Sequence, residues 1–110
     1  MSAQLIYVTV PTRSEAERIA ETVVTEHLAA CANMFDGVRS IFEWEGTLCR
    51  EDEIVLILKT QAERVAECTE RIQQLHSYEC PCIVSLPIEN GNPAFLDWIS
   101  SSTGRQKPDK

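Results

Sequence analysis

A nearly unbroken apolar run, Ile54–Leu58, is the segment that most limits the folds open to this chain. A strand with one face in water alternates apolar and polar residues, whereas a strand buried on both faces does not. The run therefore predicts a central strand of a sheet, or a strand whose second face is covered by a partner.

A second strand is predicted just before this run, over Val38–Trp44, where apolar side chains recur at even spacing. Glu45 and Gly46 follow, and a glycine tolerates the positive φ that a tight two-residue turn requires. The chain then returns toward the apolar run. We therefore expect a hairpin with two strands that are long for a small domain.

The segment before the hairpin predicts a strand and an amphipathic helix. Leu5–Val10 is rich in β-branched residues and stops at Pro11, as a buried strand does. Thr12 and Glu15 match a capping box, in which each side chain binds a free backbone N–H at the start of a helix. Apolar residues then recur at helical spacing, namely Ala16, Ile19, Ala20, Val23, Val24, Leu28 and Cys31.

The segment after the hairpin predicts a helix, an edge strand and a short last helix. Thr60 and Glu63 match a second capping box. Cys80–Leu86 is typical of a strand. The prolines at 81 and 87 have no backbone N–H to donate to a neighbouring strand, which favours a position at the edge of the sheet. Asn92 can cap the last helix, since Pro93 suits its first position. The middle helix has an apolar stripe of Val65, Cys68, Ile72 and Leu75.

The predicted order is βαββαβ with a short C-terminal helix, which is a ferredoxin-like arrangement of the α+β class. We expect a single domain over residues 1–100 and a polar, disordered tail over 101–110. Two helices cover only one face of such a sheet. The other face therefore predicts packing against another copy of the chain.

Charge and composition argue against several kinds of partner. The chain has 10 Lys and Arg against 17 Asp and Glu, a net charge of −7, and no basic cluster, so we expect no nucleic acid. No stretch approaches the ~20 apolar residues of a membrane span, so we expect no membrane partner. Five cysteines without a signal peptide predict reduced thiols and a cytoplasmic protein.

Few residues suit catalysis. The two histidines, His27 and His76, come without a nucleophile motif, and no Gly-rich phosphate loop follows the first strand. We therefore expect no enzyme. His27 is expected to be an exposed residue of the first helix, Cys31 and Cys68 to be small core residues, and Cys49 to lie in the hairpin.

The segment from His76 to Cys82 carries most of the metal-binding chemistry, with an imidazole, the thiols of Cys80 and Cys82, and the carboxylate of Glu79. Soft thiolate and imidazole ligands suit Cu(I) or Zn(II). The cysteines are not spaced as the Cys-x2-Cys pair of structural zinc sites. Pro81 could equally hold them in ordinary loop packing, so both a metal site and a structural role stay open.

Several motifs together resemble the CutA family, the divalent-cation tolerance proteins. The resemblance extends from about Leu5 to Ile99, and the motifs occur in one order and register. They are Leu28-Ala-Ala-Cys31, Phe42-Glu-Trp-Glu-Gly46, Leu58-Lys-Thr60, His76-Ser-Tyr78 with Pro81, and Phe95-Leu-Asp-Trp98-Ile99.

The resemblance implies a ferredoxin-like subunit in a tight cytoplasmic homotrimer, with long hairpin strands that join the sheets. It also implies tolerance to divalent metal ions, copper binding and no firmly attached reaction. The family looks like the PII signalling proteins in architecture. A second hypothesis is therefore a PII-like signalling or scaffold trimer that binds a small ligand or a partner protein between its subunits.

Residues transfer from the family one position at a time. His76 matches a histidine credited with copper binding in some members. Other family positions differ here. The residue before this histidine is a second histidine in some members but is Leu75 in this chain, and a first-strand cysteine of some members aligns with Val8. The usual His-Pro-Tyr motif has Ser77 in place of its proline. A position that is often acidic in the family is Cys82 here. These departures leave open a replacement in which Cys80 or Cys82 supplies the soft ligand.

Another set of family positions implies a cleft between subunits. The matching residues here are Trp44, Glu53, Lys59 and Tyr78. Aromatic residues and Lys–Glu pairs are also common at subunit contacts without any ligand. The resemblance therefore predicts either a ligand-binding cleft or a plain interface at these four side chains.

Overall fold

The computed structural model describes residues 2–104 and contains one four-stranded antiparallel sheet in the order β2-β3-β1-β4. Three α-helices complete this α+β fold, and the predicted order of strands and helices is confirmed. The elements are β1 Ala3–Val10, α1 Arg13–Thr25, β2 Cys31–Trp44, β3 Thr47–Gln61, α2 Val65–Leu75, β4 Ile83–Ile88 and α3 Pro93–Ser102, with a 3₁₀ turn, Ala62–Arg64, before α2.

The core lies between one face of the sheet and the helices α1 and α2. Alternate residues of β1, among them Ile6 and Val8, are fully buried against helical residues such as Ile19 and Ile72. Leu56 is also fully buried. The run Ile54–Leu58 lies in β3, between β2 and β1, so the prediction of a central strand is confirmed.

The hairpin formed by β2 and β3 is longer than predicted, with strands of 14 and 15 residues. β1 pairs with β3 only from Ile54 onward, so the part over 38–53, which we call the hairpin arm, is a two-stranded ribbon. A bulge between Phe35 and Val38 marks its base. Glu45 and Gly46 both have positive φ, which confirms the tight turn at its tip.

The first helix ends earlier than the sequence pattern predicted. It stops at Thr25, and His27 adopts a left-handed φ of 64°. Leu28 N–H donates to Val23 O at 2.8 Å and His27 N–H to Val24 O at 3.0 Å, which is the hydrogen-bond pattern of a Schellman motif. The predictions that Leu28 and Cys31 continue α1, and that His27 is a helical residue, are therefore wrong.

Cys31 is instead the first residue of β2 and is only partly buried, so its prediction as a core cysteine is also wrong. Cys68 on α2 is fully buried, as predicted, and burial raises the pKa of its thiol to about 12. Ala30 N–H donates to Lys59 O at 2.7 Å, which starts the pairing of β2 with β3 immediately after the turn.

The capping box predicted at Thr60 is absent. Thr60 remains in β3, paired with Gln4, and its buried hydroxyl donates to Leu28 O at 2.8 Å. The helical segment that follows begins with the 3₁₀ turn and has no side-chain cap. Because the strand outcompetes the cap for Thr60, the helix starts later than the pattern predicted.

The last strand and helix follow the proline and asparagine signals. β4 pairs only with β1, so the edge position is confirmed, although the strand begins at Ile83 and not at Cys80. Asn92 caps α3 by accepting from Ala94 N–H at 3.0 Å. This helix extends to Ser102, and Thr103 is buried, so residues 101–104 do not form the disordered tail that the sequence predicted. The rest of the predicted tail, residues 105–110, lies outside the described residues.

Candidate functional site

His76 lies just after α2, and its side chain is fully buried. Its Nε2 is 2.8 Å from Thr9 O, and its Nδ1 accepts a hydrogen bond from Tyr78 N–H at 3.0 Å. A carbonyl can only accept and an amide can only donate, so Nε2 carries the proton and the ring is neutral. Neither ring nitrogen has a free lone pair for a metal ion in this arrangement.

Glu15 binds the residue after this histidine. Its carboxylate accepts hydrogen bonds from Ser77 N–H at 2.7 Å and from Ser77 Oγ at 2.9 Å. The predicted capping box is thus half formed, because Thr12 Oγ1 accepts from Glu15 N–H at 3.2 Å while the carboxylate reaches Ser77. Glu15 Oε2 also lies 3.5 Å from His76 Nδ1, but that nitrogen already accepts from Tyr78 and carries no proton to donate.

Glu53 lies at the base of the hairpin arm and is buried. Its two carboxylate oxygens accept hydrogen bonds from Tyr78 Oη at 2.9 Å and from Ser40 Oγ. Burial raises the pKa of Tyr78 to about 12, together with its hydrogen bond to Glu53 and the negative charges of Glu53, Glu51 and Glu15. The phenol therefore remains a hydrogen-bond donor at neutral pH.

These contacts form one group, which we call the carboxylate cluster: Glu15, Glu53, His76, Ser77 and Tyr78. Glu15 and Glu53 are both buried, and within residues 2–104 neither has a Lys or Arg nitrogen within ion-pair distance. Hydroxyl and amide donors stabilise the two charges without neutralising them. The cluster is therefore a concentration of negative charge where β1 ends and the arm begins.

The four positions predicted to line a cleft do not all meet within one chain. Glu53 and Tyr78 are hydrogen bonded to each other. Lys59 instead donates to Asn33 Oδ1 from the middle of the sheet. Trp44 lies at the tip of the arm with 57% of its surface exposed. A single chain therefore brings only Glu53 and Tyr78, two of the four predicted residues, together.

The predicted metal ligands are also separated by their environments. Cys80 and Cys82 are free and exposed, whereas His76 is buried and doubly hydrogen bonded. Across residues 2–104 no group of three or more His, Cys, Asp and Glu side chains is placed to hold a metal ion. A copper site built on His76 together with a cysteine does not fit the residues as they are arranged.

Sequence reasoning missed Glu15 as a member of the carboxylate cluster and Ser40 as a hydrogen-bond donor to Glu53. The sequence predicts a helix cap for Glu15, because a glutamate three residues after a threonine is the local signal of a capping box. Its actual partner, Ser77, is 62 residues away in the chain. In the sequence Ser77 is only a departure from the family motif, and no local pattern connects it to α1.

Fold and cluster together define a class: a small α+β protein with a long exposed hairpin arm and buried carboxylates at the base of that arm. The part of the chain that the structure describes contains no helix long and apolar enough to cross a membrane. The family model for the CutA1 divalent ion tolerance protein matches residues 4–102. The chain therefore belongs to the CutA1 family, which confirms the resemblance seen in the sequence.

Individual relatives agree with this assignment. The chain is 44% identical over 97 residues to a divalent-cation tolerance protein CutA from Archaeoglobus fulgidus, covering 88% of this chain and 94% of that protein. It is 38% identical over 99 residues to the protein CutA, chloroplastic, of Arabidopsis thaliana, covering 90% of this chain and 54% of that protein. The chain thus spans about half the length of the plant relative.

Solved structures show the same fold. The crystal structure of CutA1 from Oryza sativa matches with a TM-score of 0.93 at 35% identity, covering 96% of this chain and 97% of that chain. At this identity and coverage the likeness extends over the sheet, the hairpin arm and the helices. The fold class inferred from the sequence is confirmed at the level of one antiparallel sheet with three helices.

Proposed function

We propose that this chain is the subunit of a cytoplasmic homotrimer that takes part in the response to divalent cations and binds copper or another divalent metal ion. The observation that carries the proposal is the carboxylate cluster. Glu15 and Glu53 are buried anions without a basic partner among residues 2–104. A cation bound beside them is stabilised by both charges, in a chain whose net charge is −7.

The hairpin arm supports the trimer. A two-stranded ribbon on its own is only marginally stable in water, yet the arm extends beyond the sheet and exposes large apolar side chains on both of its faces. These are Ile41, Phe42, Trp44 and Leu48, exposed by 63%, 42%, 57% and 54%. We infer that arms of a ferredoxin-like subunit pair with neighbouring subunits and cover this apolar surface.

The open sheet face supports the same assembly. Phe35, Val84 and Leu86 are each more than half exposed, and their register places them on the face opposite the core. Burial of such a patch is favourable at about 25 cal/mol per Å². A second copy of the chain is the occupant that we propose for this face, since hairpin arm and sheet face are continuous through β2 and β3.

Cation binding at the cluster needs groups from beyond one chain. Carboxylate oxygens suit hard divalent ions and also bind zinc, and the cluster offers Glu15 and Glu53. Residues 2–104 of a single subunit supply no three-ligand group. We propose that a neighbouring subunit or water completes the coordination, while Tyr78 and Ser77 hold the two carboxylates in place.

A second candidate function is a PII-like trimer that binds a small ligand or a partner protein between subunits. The observation that favours it is the state of His76, whose ring nitrogens are both engaged in hydrogen bonds and therefore unavailable to metal. In this alternative Glu53 and Tyr78 recognise a ligand with hydrogen-bonding groups. Metal binding would then be incidental.

We assign no enzymatic reaction to the chain. Among residues 2–104, the two histidines are the natural bases at neutral pH, but His27 lies in an exposed turn and His76 is fixed between Thr9 O and Tyr78 N–H. The proposed cytoplasmic location rests on the five free cysteines, which persist in a reducing compartment. We propose no nucleic-acid or membrane partner.

The test combines assembly with cation binding. Light scattering of the purified protein is expected to give about three times 12.4 kDa, and titration against a fluorescent chelator is expected to show binding of Zn(II) or Cu(II). Glu53→Gln keeps the shape and a hydrogen bond to Tyr78 but removes the charge, and should weaken binding at least tenfold. Glu43→Gln, on the exposed arm, is the matched control and should bind like the wild type.

Two results would overturn the proposal. A monomer at micromolar concentration contradicts the trimer, and equal cation affinity in Glu53→Gln and wild type contradicts the cluster as the site. Thermal-shift screening against nucleotides and metabolites separates the PII-like alternative, because a ligand that prefers the folded state raises the melting temperature.

A further inference from the structure

Lys59 is a basic side chain in a part of the open sheet face that is otherwise uncharged. Its side chain points away from the core, since Leu58 and Thr60 on either side of it in β3 are fully buried. The strand register places it in a row across the sheet with Cys31, Leu5 and Leu86. The next row on the same face consists of Asn33, Ile57, Tyr7 and Val84. Lys59 is the one charged residue in these two rows.

Lys59 has a hydrogen-bond partner but no countercharge. Its Nζ donates to Asn33 Oδ1, and among residues 2–104 no carboxylate lies within ion-pair distance of it. Because the Asn33 oxygen is used by Lys59, the two N–H groups of the same amide remain as donors. The pair therefore offers one positive charge and several N–H donors at one place, which is what an oxyanion binds.

A second copy of the chain on the open sheet face changes the surroundings of Lys59. In the single chain this side chain is only partly exposed, and water still solvates its ammonium group. A copy that covers the exposed residues Val84 and Leu86, one strand beyond β1, removes much of that water. Burial of a charge without a partner is costly, so the covered face calls for an anion at Lys59.

We propose that Lys59 and Asn33 bind a carboxylate group between two copies of the chain. The inference rests on the proposed function, because the second copy is what buries Lys59, and it gives a ligand class to the PII-like alternative. A carboxylate carries one negative charge and balances the one ammonium group, whereas a phosphate monoester carries about −1.5 to −2 at pH 7. The apolar residues of the two rows favour a carboxylate with an apolar body.

The carboxylate has two possible sources with the same chemistry at Lys59. One is a small organic acid, and the other is a glutamate or aspartate of the second copy. The net charge of −7 repels anions from the surface in general, so an anion that stabilises this protein needs a specific site.

The experiment is thermal unfolding of the purified protein with sodium hexanoate or with hexanamide, an uncharged molecule of the same shape, at matched ionic strength. Hexanoate is expected to raise the Tm in proportion to the logarithm of its concentration, because it binds the folded assembly. Hexanamide is expected to leave the Tm unchanged. Lys59→Gln should lose the rise, while Arg18→Gln, at an exposed cation on the helical side of the protein, is the matched control and should keep it.

Asn33→Asp provides a second variant at an exposed side chain. It places a carboxylate of the same chain beside Lys59, so it should also lose the rise with hexanoate. This variant keeps Lys59 and changes only the charge of its partner. Circular dichroism checks that both variants remain folded.

The two sources of the carboxylate give different results. A site for a small acid gives a rise with hexanoate in the wild type that both variants lose. A site filled by a carboxylate of the second copy gives no rise, but Lys59→Gln and Asn33→Asp then dissociate at protein concentrations at which the wild type remains assembled. Each of these results supports the proposal.

Three results would overturn it. The first is an equal rise with hexanoate and hexanamide in the wild type, and the second is an equal rise with hexanoate in the wild type and in Lys59→Gln. The third is no rise with hexanoate together with equal assembly of the wild type and both variants. In each case no carboxylate is bound by Lys59.

Light scattering of the same samples separates this inference from the proposed function. A trimer in which neither variant changes the response to hexanoate or the assembly overturns only the carboxylate site. A monomer that hexanoate stabilises through Lys59 overturns the proposed assembly and leaves the carboxylate site standing.

Discussion

Glu15 Oε2 accepts a hydrogen bond from Ser77 N–H at 2.7 Å and so connects the first turn of α1 to the turn after α2, 62 residues further along the chain. Ser77 Oγ donates to the other oxygen at 2.9 Å. Because Ser77 lies between His76 and Tyr78, this contact fixes the backbone on which both side chains depend. It is the contact that joins the two helices to the carboxylate cluster.

The first prediction concerns this contact. Glu15→Ala removes the acceptor of two hydrogen bonds and leaves the partly buried Ser77 N–H without a partner, which typically costs about 1–3 kcal/mol of unfolding free energy. Urea denaturation of the variant measures the loss. Glu17→Ala, on the exposed side of the same helix, is the control and should change stability by less than about 0.5 kcal/mol. Equal effects of the two substitutions would contradict the assigned role of Glu15.

The second prediction is a pH dependence due to Tyr78. The folded protein raises the pKa of this phenol from 10.0 to about 12, so the folded state holds the proton more tightly than the unfolded state. The contribution to stability is therefore fully present below pH 10.0 and is lost as the pH rises through about 12.

Unfolding measured along that pH range in the wild type and in Tyr78→Phe tests the effect. The wild type should lose more stability than the variant as the pH rises, because only the wild type has this proton to lose. Identical pH profiles would contradict the raised pKa of Tyr78, to which burial contributes most and the hydrogen bond to Glu53 next.

The third prediction concerns the end of α1. His27 has a φ of 64°, a conformation that costs a residue with a Cβ roughly 1–2 kcal/mol and glycine almost nothing. His27→Gly should therefore stabilise the protein by about 1 kcal/mol, which thermal unfolding would detect. His27→Ala keeps the Cβ and should give no gain. Destabilisation by the glycine would mean that the imidazole makes a contact that this account lacks.

The fourth prediction concerns the hairpin arm as an interface. Ile41→Asp places a charge on a side chain that is 63% exposed in the single chain, so a monomer should tolerate it. Buried between subunits, the same substitution loses about 2 kcal/mol of apolar burial at each contact and adds an unpaired charge. Sedimentation over a range of concentrations should show dissociation of Ile41→Asp, while Ile41→Val remains a trimer. An unchanged mass in Ile41→Asp would remove the arm from the interface.

The sequence was sufficient for the sheet and its edges because the signals there are local. The run Ile54–Leu58 predicted a central strand, Glu45-Gly46 a tight turn, and Pro87 an edge strand, and all three are observed. The family followed from motifs spread over the chain and is confirmed by the match over 4–102. The strand, the turn and the edge position each depend on a few neighbouring residues, and the family depends on the order and spacing of short motifs.

The remaining features depend on competition between distant groups. A glycine often marks the left-handed residue that ends a helix, but position 27 is a histidine. The apolar spacing of Leu28 and Cys31 therefore predicted a longer helix. Thr60 matched a capping box but is held in β3 by its pairing with Gln4. Glu15 matched another, yet its carboxylate has a stronger partner in Ser77 than in its own helix end. Gln4 and Ser77 are both far from these residues in the chain, so a short stretch of sequence does not show either contact.

Crystals soaked with a zinc salt would show where the protein binds a divalent cation, because anomalous scattering locates the ion without any assumption about its ligands. We expect an anomalous peak at the base of the hairpin arm, about 2.0–2.2 Å from a carboxylate oxygen of Glu53 or Glu15, with a neighbouring subunit or water completing the site. Peaks confined to other residues, with Glu53 bound only to Tyr78 and Ser40, would contradict it.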